Sequence, residues 1–160
     1  MQRPLLVGES NPYGDDPELA LYPLPEHASG SRLAHILGLS KPAYLRIFDR
    51  MNLVDGPWSA RRAKDAAKAV SMTRDEGSPG IILLGAKVSE AFSIPFSPFS
   101  MHLRGHGLLA CRVAVLPHPS GRSRLWNDAG SFRLARWVVS NVVGETYDRK
   151  LAELAPCTFL

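Results

Sequence analysis

The sequence is poor in cysteine and has no long hydrophobic run. Its 160 residues include two cysteines, Cys111 and Cys157, which provide neither a disulfide framework nor the spacing of metal ligands. No segment approaches the ~18 continuous apolar residues that a transmembrane helix needs. The residues before the first apolar segment lack the anatomy of a signal peptide. We therefore expect a cytoplasmic protein with no membrane contact, no metal and no cofactor.

Acidic residues are scarce in one part of the chain. Residues 1–60 carry five basic and seven acidic side chains, whereas residues 101–136 carry one acid, Asp128, and six arginines. These arginines are Arg104, Arg112, Arg122, Arg124, Arg133 and Arg136. The formal net charge is only +4, so the clustering is more informative than the total. A basic cluster is typical of surfaces that contact phosphates, although Arg133 and Arg136 also fit solvated helix positions.

Apolar segments alternate with amphipathic ones along the chain. Apolar runs predict strands at residues 5–7, 50–54, 81–84 and 108–116. Helices are predicted at residues 31–37, 59–72 and 85–92, after Ser40, and after Asn127 or Asp128, with a long loop at residues 93–107. This alternation predicts an α/β fold, a three-layer α/β/α sandwich with a central four-stranded, mostly parallel sheet. The length indicates a single domain spanning residues 1–160.

Polar loops follow the first and last predicted strands. The last strand ends at Pro117 and Pro119, so the intervening His118 has little backbone freedom, which suits a hydrogen-bond donor that is aimed in advance. The first strand leads into residues 8–14, where Gly, Asn and Pro favour a turn. In open α/β sheets, ligands bind beyond the carboxyl ends of the strands. We therefore expect these two loops to face each other across a cleft.

This pair of loops resembles the uracil-DNA glycosylase superfamily. That superfamily carries an early strand-end motif with Asp or Asn before Pro and a late His-Pro-Ser motif, matched here by Asn11-Pro12-Tyr13 and His118-Pro119-Ser120. Leu21-Tyr22-Pro23 looks like the segment whose ring stacks on the flipped base, and residues 81–86 look like a strand-to-helix turn of the family. The resemblance covers residues 5–132. Members with an iron–sulfur cluster use four cysteines, which this chain lacks.

The resemblance implies a role for each residue at the predicted cleft. His118 is expected to stabilise negative charge on the O2 of the leaving pyrimidine, and Asn11 to position the attacking water. Tyr13 is expected to obstruct a C5 methyl group, Tyr22 to stack on the base, and Asn52 to read its N3–H and O4. The expected DNA contacts are Ser10, Ser120, Gly121, Arg122, Arg124 and Leu125, with Arg122 as the wedge that enters the duplex and Leu125 as its alternative.

The predicted function is that of a monofunctional DNA glycosylase, acting as a monomer, that excises uracil or a related modified pyrimidine. The loop around His118 has no lysine that could form a Schiff base with the sugar, which favours hydrolysis. One alternative is a glycosylase for a hypermodified cytosine in viral DNA, because the loop at residues 93–107 is long enough to reshape the pocket. The other is a catalytically silent DNA-binding relative, since many family members have Asp where this chain has Asn11. A nucleotide-processing enzyme fits less well, since the chain has no phosphate loop.

Overall fold

The computed structural model describes residues 3–11, 14, 16–74, 79–104 and 111–144. Within these ranges the strands are β1 (Leu5–Ser10), β2 (Asp49–Val54), β3 (Ile81–Leu84), β4 (Ser100–Arg104) and β5 (Cys111–Leu116). The helices are α1 (Ser29–Leu37), α2 (Lys41–Ile47), α3 (Ala60–Thr73), α4 (Ala86–Ala91) and α5 (Ser131–Val143). No helix in the described ranges is long and apolar enough to cross a membrane.

The sheet has the strand order β2-β1-β3-β5-β4. All neighbouring strands are parallel except β4, which runs antiparallel to β5. The prediction of a mostly parallel sheet in an α/β/α sandwich is confirmed, but the predicted number of four strands is wrong. The fifth strand, β4, lies within residues 93–107, which were expected to form a loop. Its residues are half-buried or exposed and include no apolar run, so pairing with β5, rather than its own composition, makes it a strand.

Apolar side chains on the two faces of the sheet form two separate cores. On one face, residues such as Leu6, Ile82 and Leu116 pack against α1, α2 and α5. On the other face, residues such as Val7, Leu83 and Val115 pack against α3 and α4. The three central strands β1, β3 and β5 therefore supply alternate residues to opposite layers.

Helix boundaries follow the capping residues in some places and not in others. Ser40 and Ser59 accept hydrogen bonds from Ala43 and Arg62 N–H groups, and these serines cap α2 and α3 as predicted. The last helix was expected to begin at Asn127 or Asp128, which is wrong. Residues Arg124–Asn127 form a short 3-10 helix, and α5 begins at Ser131 after a turn in which Asp128 accepts a bond from the Gly130 N–H.

The strand order changes direction at β1. From β1 the chain moves to β2 on one side, and it later returns to β3 on the other side. Crevices at such a switch point, outside the carboxyl ends of the strands, are where open α/β sheets bind ligands. A ligand site is therefore expected among the residues that follow the carboxyl ends of β1, β2 and β5.

Candidate active site at the carboxyl edge of the sheet

A cleft lies beyond the carboxyl ends of β1 and β2. It holds about 390 Å³ of empty space including its open mouth. Five of the residues predicted to form the site line it together: Ser10, Asn11, Tyr22, Asn52 and His118. They come from four separate parts of the chain, and the sheet topology brings them to one place. The remaining wall is formed by residues 19–30, which cross the mouth of the cleft, and by Glu9.

The hydrogen bond made by His118 assigns its tautomer. The backbone N–H of Ser120 donates to Nδ1 of His118 at 3.1 Å. A nitrogen that accepts a hydrogen bond carries no proton, so in the neutral ring the proton is on Nε2. His118 lines the cleft, and Nε2 is its hydrogen-bond donor.

The electrostatic surroundings keep this ring neutral. Burial lowers the pKa of the His118 imidazole below its usual value, the nearby Glu9 carboxylate acts in the opposite direction, and Lys87 adds to the lowering. The ring is therefore predominantly uncharged at pH 7 and can donate one hydrogen bond through Nε2. A neutral imidazole in this form can donate to an oxygen on which negative charge develops.

Two neighbouring residues hold His118 in place. The indole Nε1 of the buried Trp126 donates to the His118 carbonyl oxygen at 2.9 Å. This hydrogen bond ties the backbone of the His118 loop to the core. Gly85, at the end of β3, has φ +97°, and a Cβ at this position would lie 3.2 Å from the Cβ of His118. Glycine is needed here for both the backbone conformation and the close approach. The backbone of the loop and the strand beneath it thus fix the position of the imidazole.

Asn11 is buried at the end of the first strand. Its Nδ2 donates to the carbonyl oxygen of Asp16 at 3.2 Å, and its exposed fraction is 8%. The bond to Asp16 fixes the plane of the amide, and the side chain lines the same cleft as His118. An amide held in this way can orient a polar group but cannot take up a proton, which limits its chemistry to positioning.

Asn52 projects from β2 into the cleft. The structure extends this strand over Asp49–Val54, and the register pairs Asn52 with Gly8 of β1. A Cβ added at Gly8 would overlap Oδ1 of Asn52 and approach Leu21. The glycine therefore leaves the space that the Asn52 amide occupies, and both residues belong to one arrangement.

Tyr22 is positioned by a strained turn at the cleft mouth. The preceding residue, Leu21, has φ +49°, which is unusual for a side chain of this size, and its carbonyl accepts a hydrogen bond from the hydroxyl of Tyr44 at 3.1 Å. The guanidinium of Arg50 lies 5.3 Å from the centre of the Tyr22 ring and donates to the carbonyl of Ala20 at 2.9 Å. These contacts hold the ring of Tyr22 in the wall of the cleft.

Glu9 and Lys87 were not predicted from the sequence. The carboxylate of Glu9 lies in the cleft wall and forms a salt bridge of 3.2 Å with Lys87 of α4. The ammonium of Lys87 also lies 5.5 Å from the ring of Trp58. The first strand was predicted to end at Val7, but β1 continues through Glu9 to Ser10. The strand end was placed too early because the residues at positions 9 and 10 are polar. A strand prediction extended through Ser10 would have placed Glu9 at the carboxyl edge of the sheet.

The remaining predicted contacts lie outside the cleft lining. Arg122 is exposed on the loop after His118, and Gly121 is exposed beside Arg32. Arg124 and Leu125 are exposed on the short 3-10 helix that follows this loop. Ser120 is half-buried and uses its N–H to hold the His118 ring. Tyr13 lies outside the described residues.

The basic cluster that was expected around His118 is largely separated in space. Arg112 lies near the start of β5, and Arg104 pairs with the first residue of β5 in the register of β4. His118 follows the other end of β5, and the strand rises ~3.3 Å per residue, so these arginines are on the far edge of the sheet. Of the six arginines, Arg122 and Arg124 belong to the segment that directly follows His118. Arg104 and Arg112 are near His118 in sequence but distant from it in space, because the length of β5 separates them.

Family models and curated sequences offer no relative of this chain. No protein-family model matches the chain, and no curated protein sequence matches it significantly. The function of the cleft is therefore inferred from its residues and their geometry.

Proposed function

We propose that this protein is a monofunctional DNA glycosylase that excises uracil or a closely related modified pyrimidine and leaves an abasic site. The observation that carries the proposal is the neutral His118, whose Nδ1 accepts from the Ser120 N–H and whose Nε2 is a donor in a cleft that also contains Asn11, Asn52 and Tyr22. This combination offers a donor for a leaving oxyanion, amides for water and base, and an aromatic wall. The target base has to leave the duplex to enter it.

The proposed reaction breaks the bond between N1 of the base and C1′ of the sugar. The electron pair leaves with the pyrimidine, and the negative charge spreads to O2, where the His118 Nε2–H donates a hydrogen bond. Asn11 holds a water whose oxygen forms the new bond to C1′, and the proton released from this water passes to solvent. The base anion takes a proton from solvent. A fixed donor of this kind typically contributes ~10²–10³ in rate.

Recognition of the base is assigned to β2 and to the turn at the cleft mouth. The amide of Asn52 can accept from N3–H and donate to O4 of uracil, a pattern that cytosine does not offer in its neutral form. The half-buried Tyr22 supplies a ring face for stacking. The exclusion of a C5 methyl by Tyr13 stays a prediction.

Of the two candidate substrates, we favour uracil over a hypermodified cytosine. The argument for a bulkier base depended on residues 93–107 reshaping the pocket, but residues 100–104 form the edge strand β4. None of the described residues of this segment lines the cleft. We further propose that the protein acts on DNA as a monomer in the cytoplasm, in base excision repair.

An oligonucleotide cleavage assay tests the proposal. End-labelled single and double strands would each carry one uracil, hypoxanthine, mismatched thymine or 5-modified cytosine, and alkali would cut at any abasic site. We expect cleavage at uracil by the wild-type protein and strong loss in His118→Ala and Asn11→Ala. His102→Ala, on the edge strand β4, is the matched histidine control and should keep wild-type activity.

Other results would redirect the proposal. Cleavage only at a 5-modified cytosine would keep the mechanism but overturn the choice of substrate. Cleavage at no base, with salt-dependent DNA binding intact, would replace the enzyme with a DNA-binding relative. Equal activity in wild type and His118→Ala would contradict the assignment of the cleft.

A further inference from the structure

A second cavity lies on the other side of the first turn of α1. Ser29 and Gly30 line the cleft, whereas the next two residues, Ser31 and Arg32, line this second cavity. It holds about 620 Å³ of empty space including its open mouth. The other lining residues are Glu26, His35, Ile36, Lys41 and Phe132. The two hollows are therefore neighbours that share one turn of helix as a wall.

Arg32 in this cavity has a buried donor without a partner. Its Nε is inaccessible to water and makes no hydrogen bond within the described part of the chain. Six other arginines each donate to a carbonyl or carboxylate oxygen: Arg3, Arg50, Arg62, Arg74, Arg112 and Arg136. A buried donor that is left unbonded carries a desolvation penalty, which is larger when the donor is charged. Because Nε is closed to solvent, a ligand in the cavity would meet the charge of the guanidinium rather than this atom.

The charges around the cavity favour an anion. Arg32 and Lys41 are the two permanent cations of the lining and Glu26 is its one acid. Among the described residues, neither cation forms a salt bridge. The lining therefore carries an excess of one positive charge, and the apolar side chains of Ile36 and Phe132 lower the local screening by water.

The cavity adjoins the loop that follows His118. A Cβ at Gly121 would lie 3.0 Å from Nη1 of Arg32, so the guanidinium touches this loop next to the exposed Arg122. The buried Trp126, which anchors the loop at His118, also contacts Phe132 of the cavity, with ring centres 6.2 Å apart. An anion bound at Arg32 thus lies beside the protein segment that leads out of the cleft.

We propose that the second cavity binds a phosphodiester group of the DNA strand whose base occupies the cleft. Arg32 and Lys41 supply the positive charge, and Ile36 and Phe132 form an apolar wall against the deoxyribose. The cavity then fixes the strand at a point away from the flipped nucleotide and adds affinity that does not depend on the base. This inference rests on the proposed function for the identity of the polymer, but not on the excision chemistry.

The test is the salt dependence of binding to undamaged oligonucleotides, measured by fluorescence anisotropy. The variants are Lys41→Met, Arg32→Met and the double variant, in which methionine keeps an unbranched apolar stem. The matched control is the double variant Lys64→Met/Lys68→Met, which removes two charges from the exposed side of α3 on the other face of the sheet. Each lost duplex phosphate contact lowers the slope of log K against log salt by about 0.9. We expect a fall of about 1–2 in the Arg32/Lys41 double variant and no change in the control.

The outcomes separate this inference from the proposed function. Wild-type slopes in Lys41→Met and in a folded double variant would overturn it, as would an equal fall in the α3 control, since general charge would then explain binding. Lys41 is exposed, so Lys41→Met gives an answer even if Arg32→Met fails to fold. If thymidine monophosphate binds the cavity and does not compete with the oligonucleotide, the ligand of the cavity is a free nucleotide and the proposal of a DNA strand is overturned. Because the oligonucleotides contain no excisable base, failure of excision leaves this result standing.

Discussion

Two regions of the molecule carry polar side chains in very different surroundings. At the carboxyl edge of the sheet, His118, Asn11 and Arg32 each have polar atoms withdrawn from water. On the outer side of α3, the four cations Arg61, Arg62, Lys64 and Lys68 are exposed to solvent. The outer side of α3 has the greater charge, but its four cations remain solvated and therefore bear no desolvation cost. The difference teaches that desolvated and fixed polar groups, rather than the number of charges, mark a candidate site.

The largest expected effect is at the imidazole. Replacing His118 with alanine removes the donor to the leaving oxygen and should lower the single-turnover rate of uracil excision by ~10²–10³. Exchange of Lys64 for methionine on α3 should leave the rate unchanged. A comparable loss in the α3 variant would break the contrast between the two regions.

Gly8 offers a test of the close packing behind Asn52. In Gly8→Ala the new Cβ meets Oδ1 of Asn52, so we expect a loss of about 1–3 kcal/mol in the free energy of unfolding, measured by urea titration. The loss should be smaller in an Asn52→Ala background, because the main obstacle is then gone. Equal losses in both backgrounds would show that Asn52 does not occupy the space that Gly8 leaves.

Trp126 tests whether the loop beneath His118 depends on one hydrogen bond. Trp126→Phe keeps an aromatic ring but removes the Nε1–H that donates to the His118 carbonyl. We expect a loss of about 0.5–1.5 kcal/mol in unfolding free energy and a several-fold slower excision. Trp137→Phe is the matched control, since Trp137 is 60% exposed on α5, and its stability should stay within about 0.5 kcal/mol of wild type. Equal losses in both variants would point to ring size alone.

The smallest effect is the pH dependence of stability. Burial lowers the pKa of folded His118 below its unfolded value of 6.5, so below pH 6.5 the unfolded state binds more protons than the folded state. Its contribution to stability is therefore complete above pH 6.5 and is lost as the pH falls toward the folded pKa. The slope for one proton cannot exceed about 1.4 kcal/mol per pH unit.

Urea titrations of wild type and His118→Gln between pH 5 and pH 8 check this expectation. The difference in unfolding free energy between the two proteins should be constant above pH 6.5 and should shrink below it. A constant difference across the whole range would show that the imidazole is not withdrawn from water.

The sequence allowed the main features of the fold to be predicted because they depend on local patterns. The apolar run at residues 81–84 is a strand in every respect, since a continuous buried run fits a central parallel strand. Ser40 and Ser59 cap helices because their side chains compete for the first free N–H groups. The edge strand β4 was missed because its residues have no strand pattern without β5 beside them. The start of α5 was misplaced because residues 124–127 satisfy their own backbone in a 3-10 helix.

The residue types at the cleft followed from the sequence, but their roles depend on contacts that only the fold creates. The chain order alone put His118 between two prolines, Asn11 after the first strand and Asn52 within the predicted second strand. The tertiary structure decided the imidazole tautomer, through the Ser120 N–H, and the space for Asn52, through Gly8. It also separated Arg104 and Arg112 from His118 and brought Arg32 beside Gly121, 89 residues later in the chain (121 − 32). Local pattern determines most of the helices and strands, whereas desolvation and hydrogen bonding between distant segments decide which polar groups are poised to act.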